Sequence, residues 1–318
     1  MRVLCVMGPT AVGKSDLAVT LAGSLGGEVV NADSMQVFRH LPIGTAAPSP
    51  QQLAACPHHL FAWLDPDQEP DAAEWARRAA IVLADLHARG RVPVVVGGSF
   101  FWMRALFEGL SDIPRVPADV RARVLAWMAQ AGVEATFDRL RAGDPLAASR
   151  LSPGDTQRIA RALEVLEATG LPMSHFLAQP PRPAVDAEVL RLVPMLPRES
   201  LYRRIDDRAA GMFSDGLVDE VRSVLASGFA PDVRPLRTAG YVPVVNHLQG
   251  RCDEAEMREQ VARGHRNYAK RQLTWLKREN GRRLDASSGW SEALVVAEDF
   301  LRGRSGSTQT QPGFRIPG

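Results

Sequence analysis

The chain opens with a short apolar run, "RVLCVM", which predicts a buried strand. A tight glycine-bearing turn follows. Leu17, Leu21 and Leu25 then recur every four residues through "KSDLAVTLAGSL", the spacing of one helix face. "GGEVVNADS" predicts a second strand ending near Asp33, and "RVPVVVGGSFF" a buried strand closed by a Gly-Gly turn. Residues 71–90 carry a helical pattern, and the Pro-rich stretch from about His40 to Pro70 reads as a long loop. Strands that alternate with helices predict an α/β domain with a parallel sheet covered on both faces. Its ligands belong at the carboxyl ends of the strands. Gly8, Asp33 and Ser99 all fall just past such ends.

The pattern changes between residues 112 and 188. "PADVRARVLAWMAQAG", "VEATFDRLRAG", "DPLAASRL" and "GDTQRIARALEVLEATG" are successive helical segments with no strand between them. They predict an all-helical insertion, after which "AEVLRLVPML" returns to the sheet. Helices dominate from Arg198 onward. The expected organisation is therefore a discontinuous α/β core, residues 1–111 and 189–302, around an insertion at 112–188. The closing "GRSGSTQTQPGFRIPG", residues 303–318, is poor in bulky apolar groups and predicts a disordered tail.

Composition narrows the class. Of 318 residues, 45% are hydrophobic and 23% charged, enough to bury a core without covalent staples. Three widely spaced cysteines argue against a disulfide framework or a zinc site, so a reducing cytoplasm is expected. No run approaches the roughly 18 apolar residues of a membrane helix. The net charge of +2 confines any nucleic-acid surface to a local patch. Of 38 basic residues 35 are Arg, and the lysines are Lys14, Lys270 and Lys277. In such a background Lys14 marks a place that needs a compact ammonium.

Lys14 closes the motif "GPTAVGKS", Gly8 to Ser15, which follows a strand and opens a helix. Its glycines let backbone N–H groups face an anion, and the helix N-terminus adds positive potential. Lys14 would neutralise terminal phosphates, and Ser15 could hold Mg²⁺. Asp33 could bind Mg²⁺ through water, act as a general base, or cap a helix. Ser99 follows "VVVGG" where many nucleotide-hydrolysing proteins carry an acid. Its hydroxyl could reach a phosphate oxygen or merely serve a turn. In the insertion, Asp155 would cap a helix whose Ile159, Leu163 and Leu166 face inward. Gln157, Arg158 and Arg161 lie off that stripe, toward a polyanion or toward water. The segment 262–283 places Arg263, Arg266, Lys270 and Lys277 on one row and Ala269, Leu273 and Leu276 on an inward one. Tyr268 and Trp275 interleave, a pattern suited to RNA or to a plain surface helix. His58 and His59, adjacent on a loop, are a poor pair for one metal.

Together these segments resemble the bacterial tRNA dimethylallyltransferases, the IPP transferase family. The likeness runs from Val3 to about Leu284 through "GPTAVGKS", "ADSMQVFRHLPIGTA", "VVVGGS", "DTQRIARALEV", "LYRRID", "TAGY" and "YAKRQLTWLKR". The resemblance implies a P-loop NTPase-like fold with a tRNA-contacting helical insertion. It implies transfer of the dimethylallyl group of dimethylallyl diphosphate to N6 of adenine 37, beside the anticodon. It implies Mg²⁺ as cofactor, the anticodon stem-loop as partner, a cytoplasmic location, and neither a membrane nor an obligate protein partner. By motif, Gly8, Pro9, Thr10, Ala11, Val12, Gly13, Lys14 and Ser15 hold the diphosphate, with Ser15 on the metal. Asp33 is the general base, and Lys14, Ser99 and Arg222 assist at the leaving group. The tRNA would touch Asp33, Ser34, Met35 and Gln36, then Gln157, Arg158, Ile159, Ala160 and Arg161. Further contacts fall on Arg237, Thr238, Ala239, Gly240, Tyr241 and Val242, and on Lys270 and Arg271. The chain departs from the family pattern at Phe38, Ala47, Phe100 to Trp102, and Val242. A P-loop small-molecule or nucleoside kinase is the alternative that the phosphate loop alone permits.

Overall fold

The computed structural model describes residues 1–304. The chain divides into two compact units, one of residues 1–107 together with those from Ala184 onward, the other Glu108–Pro183.

The first unit begins with β1 (Arg2–Met7), α1 (Lys14–Leu25) and β2 (Gly27–Asn31), followed by the short α2 (Pro50–Ala55) and β3 (His58–His59). Next come α3 (Ala72–Ala88), β4 (Val92–Gly97) and α4 (Phe100–Phe107). The chain then forms the second unit with α5 (Ala118–Gly143), α6 (Pro145–Ala148), α7 (Thr156–Thr169) and α8 (Met173–Leu177). It returns through β5 (Glu188–Met195), α9 (Arg198–Ser214), α10 (Leu217–Ala226), α11 (Val242–Leu248), α12 (Glu254–Leu276), β6 (Arg282–Asp285) and α13 (Ser291–Leu301).

The six strands are all parallel, in the order β3-β2-β4-β1-β5-β6. Side chains alternate between the two faces of a strand. Leu4, Val6, Val29, Val94 and Val96 pack with Leu17 and Leu21 of α1 and Ala293 and Ala297 of α13. The intervening Cys5 meets Met103 of α4, sulfur to sulfur at 3.8 Å, and Trp75 of α3 donates its indole N–H to the Asn31 carbonyl at 2.8 Å. Both faces are covered, which is why the central strands read as unbroken apolar runs. β1 lies inside the sheet, and the chain leaves it first toward β2 and later returns on its other flank as β5. That reversal opens a crevice at the carboxyl ends of the strands.

Two strands escape the hydrophobic pattern. β3 has only two residues, and β6 reads Arg-Arg-Leu-Asp, with Leu284 alone of the four fully buried. Both sit at sheet edges, where one flank needs no apolar partner. The stretch 40–70, expected as loop, also holds α2, which opens on a capping box between Ser49 and Gln52 with Pro50 in its first turn. The basic segment 262–283 is not one helix: α12 stops at Leu276 and the chain turns into β6.

The second unit is helical throughout, apart from an isolated bridge between Leu110 and Arg182. α5 is broken at Gly132, whose φ of 77° no ordinary helical residue adopts, so the two helical segments of the sequence pattern remain distinct. Val120, Val124, Leu140, Ile159 and Leu163 form the core of the unit. Asp144 is fully buried at the start of α6, where one carboxylate oxygen accepts the Ala147 N–H at 3.0 Å and the other the Ser174 N–H at 2.9 Å. Asp155 stands at the N-cap position of α7 but does not cap with its side chain. Its carboxylate accepts from the Ser152 N–H instead. Of the expected disordered tail, 303–318, residues 305–318 lie outside the described residues. No described helix is long and apolar enough to cross a membrane.

Candidate active site

The phosphate loop joins β1 to α1. Gly13 has φ 97°, a left-handed conformation that an L side chain rarely adopts, and a Cβ there would lie 3.2 Å from the Trp290 ring. Lys14 folds back over the loop and donates from Nζ to the Pro9 carbonyl at 2.6 Å. Burial lowers its pKa to about 8; the Asp33 carboxylate opposes that shift and the Arg208 guanidinium adds to it. An anion arriving beside Nζ would restore a full ammonium.

Two helices support this loop. Val12 packs with Leu201 and Ile205 of α9 and with Ala269 of α12. That contact turns Arg204 and Arg208, one helical turn apart, toward the loop, and Arg208 donates to the Thr10 hydroxyl. From α12 the buried amide of Gln272 accepts the Thr10 N–H at 2.8 Å and donates to the Gly98 carbonyl at 3.1 Å. One side chain thus ties the end of β1 to the end of β4.

Asp33 is set by Asn31. The Asn31 amide accepts the Asp33 N–H at 2.8 Å and donates to the Asp33 carbonyl at 3.2 Å and the Leu60 carbonyl at 3.0 Å. Oδ1 of Asp33 accepts the Met35 N–H at 2.9 Å, which makes a local turn. Oδ2 lies toward Gly98, 3.5 Å from where a Cβ on that residue would sit. Ser99 accepts the Ser34 N–H at 2.9 Å and donates to the Ser34 hydroxyl at 3.1 Å, so its hydroxyl braces the loop that carries Asp33. The Tyr268 hydroxyl lies beside Ser99, and burial pushes its pKa well up.

Thr10, Gly13, Lys14, Asp33, Arg204 and Arg208 border a cavity of about 350 Å³ at the carboxyl ends of the strands. Its cations, Lys14, Arg204 and Arg208, come from the phosphate loop and α9. Its apolar lining, Val29, Ala46, Pro48, Phe61 and Val96, comes from β2, β4 and the loops between β2 and α3. Ser15, Asp16 and Asp33 add oxygen donors. A polar anion cradle beside an apolar wall is suited to a ligand that joins a polyphosphate to a small hydrocarbon.

Several expected site residues lie elsewhere. Arg222 is an exposed cation of α10 paired with Asp219, and the arginine that donates to the phosphate loop is Arg208. Ile159 and Ala160 are buried in the second unit, so their side chains offer nothing to RNA. Gln157 and Arg158 beside them are exposed, and Arg161 pairs with Glu164 at 3.5 Å. Tyr241 is 1% exposed and donates to Glu220 at 2.8 Å; it is a core residue. Gln36 does line the cavity, but spends its amide on the Thr45 and Ala46 carbonyls, at 3.2 and 2.6 Å. Arg237 stands 3.5 Å from Glu69, while Val242, Lys270 and Arg271 are exposed. His59 binds the buried Glu28 at 2.7 Å. Among the described residues no group of three or more His, Cys, Asp or Glu could hold a metal.

Arg208, Gln272 and Glu220 were not singled out from the sequence. A signal existed for Arg208: with Arg204 it flanks the apolar row Leu201, Ile205, Ala209 at a spacing of four. Gln272 and Glu220 had no comparable signal.

A family model described as IPP transferase matches residues 36–279, and one described as isopentenyl transferase matches residues 1–65. A tRNA dimethylallyltransferase of Halorhodospira halophila is 46% identical over 277 residues, 86% of this chain and 89% of that one. One of Geobacter sulfurreducens is 44% identical over 278 residues, 87% and 89% of the two chains. Among solved structures, a eukaryotic dimethylallyltransferase acting on tRNA superposes with a TM-score of 0.82 at 26% identity, over 97% of this chain and 81% of that one. The tRNA isopentenylpyrophosphate transferase of Bacillus halodurans gives 0.67 at 32% identity, over 95% and 96%.

Proposed function

Since the chain belongs to the IPP transferase family, we propose that it transfers the dimethylallyl group of dimethylallyl diphosphate to N6 of adenine 37 beside a tRNA anticodon. The observation that carries this reading is one cavity holding three cations, Lys14, Arg204 and Arg208, the carboxylate of Asp33 and an apolar wall.

The reaction breaks the bond between the allylic C1 and a diphosphate oxygen and forms one between C1 and N6. Pyrophosphate leaves, and the proton lost by N6 goes to Asp33. Phosphorus is not attacked, so the phosphate loop serves as a holder for the leaving group. Negative charge grows on that group, and donors already aimed at it are the strongest lever, about 3 kcal/mol for one good donor. The loop N–H groups, Lys14 and Arg208 supply them. Ser99 acts by bracing Ser34 and with it the Asp33 turn. The exocyclic amine of adenine is a weak nucleophile that turns acidic as the new bond forms, and Oδ2 of Asp33 is the acceptor for its proton.

Ser15 and Asp33 are hard oxygen donors of the kind that Mg²⁺ takes together with substrate phosphates and water. Bound through Ser15, Mg²⁺ would neutralise charge on the diphosphate. The target base must leave its stack, at a cost of a few kcal/mol that is least in an unpaired loop. The exposed Gln157 and Arg158 of the helical insertion, and Lys270 and Arg271 of α12, are the contacts we assign to the anticodon stem-loop.

Incubation with tRNA, Mg²⁺ and either labelled dimethylallyl diphosphate or ATP tests the reading. Label should appear on tRNA adenosine with release of pyrophosphate. Conversion of ATP to ADP on a small metabolite, with tRNA left unalkylated, would make the protein a kinase.

A further inference from the structure

One wall of the cavity is a loop whose shape is fixed partly from outside the site. Thr45, Ala46 and Pro48 line the cavity. Thr45 and Ala46 belong to a tight turn, with Pro48 just after it, in which the Ala46 N–H donates to the Ile43 carbonyl at 3.0 Å and the Ala47 N–H to the Pro42 carbonyl at 2.9 Å. On one side Gln36 holds the Thr45 and Ala46 carbonyls. On the other stands Glu220 of α10, buried at 8% exposure, which no motif in the sequence marks. Its two oxygens accept the Ile43 N–H at 2.6 Å, the Gly44 N–H at 3.0 Å and the Tyr241 hydroxyl at 2.8 Å. Tyr241 closes the arrangement from behind. A Cβ at Gly44 would come within 2.4 Å of its ring and hydroxyl, so only glycine lets loop and ring approach this closely.

A buried carboxylate is costly unless its lone pairs are satisfied, and Glu220 has three donors facing it. Two of the three are consecutive backbone amides of the turn. The carboxylate therefore works as a template: it is stable only while Ile43 and Gly44 present their N–H groups together. That geometry fixes where Thr45 to Pro48 stand in the cavity. From this we propose that Glu220 and Tyr241 are positioning residues that hold the 42–48 loop against the apolar part of the site and so set which allylic chain length the cavity accepts. The inference rests on the donor site proposed above. Neither residue lines the cavity itself.

Two variants test it. Glu220→Gln keeps the shape of the side chain but turns an N–H₂ toward one of the backbone donors. Tyr241→Phe keeps the ring in the core and removes one donor, so the fold survives even where the first change proves too costly; thermal melting checks both. Donor kinetics would be measured with dimethylallyl diphosphate and with the ten-carbon geranyl diphosphate. Affinity for inorganic pyrophosphate would come from calorimetry, and hydrogen exchange would be followed in the peptide spanning Ile43 and Gly44. The expected result is a donor KM raised about 10-fold with kcat within about twofold, the pattern of lost ground-state binding. The preference for the shorter donor should fall about 10-fold. Exchange at Ile43 and Gly44 should quicken while pyrophosphate affinity stays as in the parent. Folded variants with unchanged KM and unchanged preference overturn the inference, whether or not exchange quickens. Loss of pyrophosphate affinity together with the preference also overturns it, since the effect would then be a general collapse of the site. A parent protein that alkylates tRNA with neither donor fails the proposed function itself, a result distinct from these.

Discussion

The side-chain amide of Gln272 accepts the Thr10 N–H at 2.8 Å, so a residue of α12 fixes the phosphate loop more than 250 positions earlier in the chain. Its other half donates to the Gly98 carbonyl at 3.1 Å. Replacement by Ala leaves the Gly98 carbonyl buried and unpaired and the half-buried Thr10 N–H without its partner, at about 1–3 kcal/mol. Gln272→Ala should therefore lower unfolding free energy by about 2 kcal/mol and weaken pyrophosphate binding, as read by urea melts and calorimetry. Gln272→Glu keeps the acceptor for Thr10 but loses the donor to Gly98 and buries a charge, and it should do no better.

Arg208 and Arg222 separate two readings of the same chemistry. Arg208 reaches the Thr10 hydroxyl and lines the cavity, whereas Arg222 is exposed and paired with Asp219. Arg208→Ala should lower kcat about 10²–10³-fold, the usual loss for one donor aimed at developing charge. Arg222→Ala should stay within about twofold. Steady-state kinetics of the two variants side by side decides between them.

Asp33 has one oxygen engaged in its own turn and one directed to the crevice. Asp33→Asn keeps an acceptor for the Met35 N–H but cannot take a proton from the nucleophile. Turnover should fall about 10²–10⁴-fold with tRNA affinity retained. Near-normal turnover in this variant removes Asp33 from the role of base.

At the opposite ends of the strands, Glu28 is 4% exposed and sits among Arg89 at 2.7 Å, Arg91 at 3.4 Å and His59 at 2.7 Å. Hydrogen bonds from Arg89, then from His59, outweigh its burial and hold its pKa at about 2 against an ordinary 4.5. A carboxylate depressed on folding stabilises the protein above its unfolded pKa and loses that contribution as pH falls toward the folded one. Stability should therefore drop between about pH 4.5 and 2, by on the order of 2 kcal/mol from this group. Glu28→Gln should flatten that part of the pH profile in chemical melts while lowering stability at pH 7. A variant profile parallel to the parent's would assign acid loss to other carboxylates.

What could be read from the sequence is what local chemistry dictates. The phosphate loop is legible because a strand, a left-handed glycine, a Lys and a helix start are consecutive, and their geometry needs no distant partner. The strands β1, β4 and β5 and the helices α1, α3 and α7 are legible because coverage on one or both faces imposes a period on the side chains. The position of Asp33 past a strand end belongs to the same class.

Tertiary structure decided which groups face the site. Arg204, Arg208 and Arg222 are equivalent in composition. Only the packing of Leu201 and Ile205 on Val12 turns one pair inward, while the third lies on another helix with Asp219 as its neighbour. The family resemblance of the segment Arg237 to Val242 implies an RNA contact at Tyr241, yet Glu220 and Gly44 draw it into the core. Gln272 and Glu220 carry no periodicity and no charge pattern of their own. They matter through backbone groups brought to them by the fold, and hydrogen bonds are short-ranged and directional. A sequence determines which residues can make such a bond, and only the assembled chain brings a donor and an acceptor to within about 3 Å of each other.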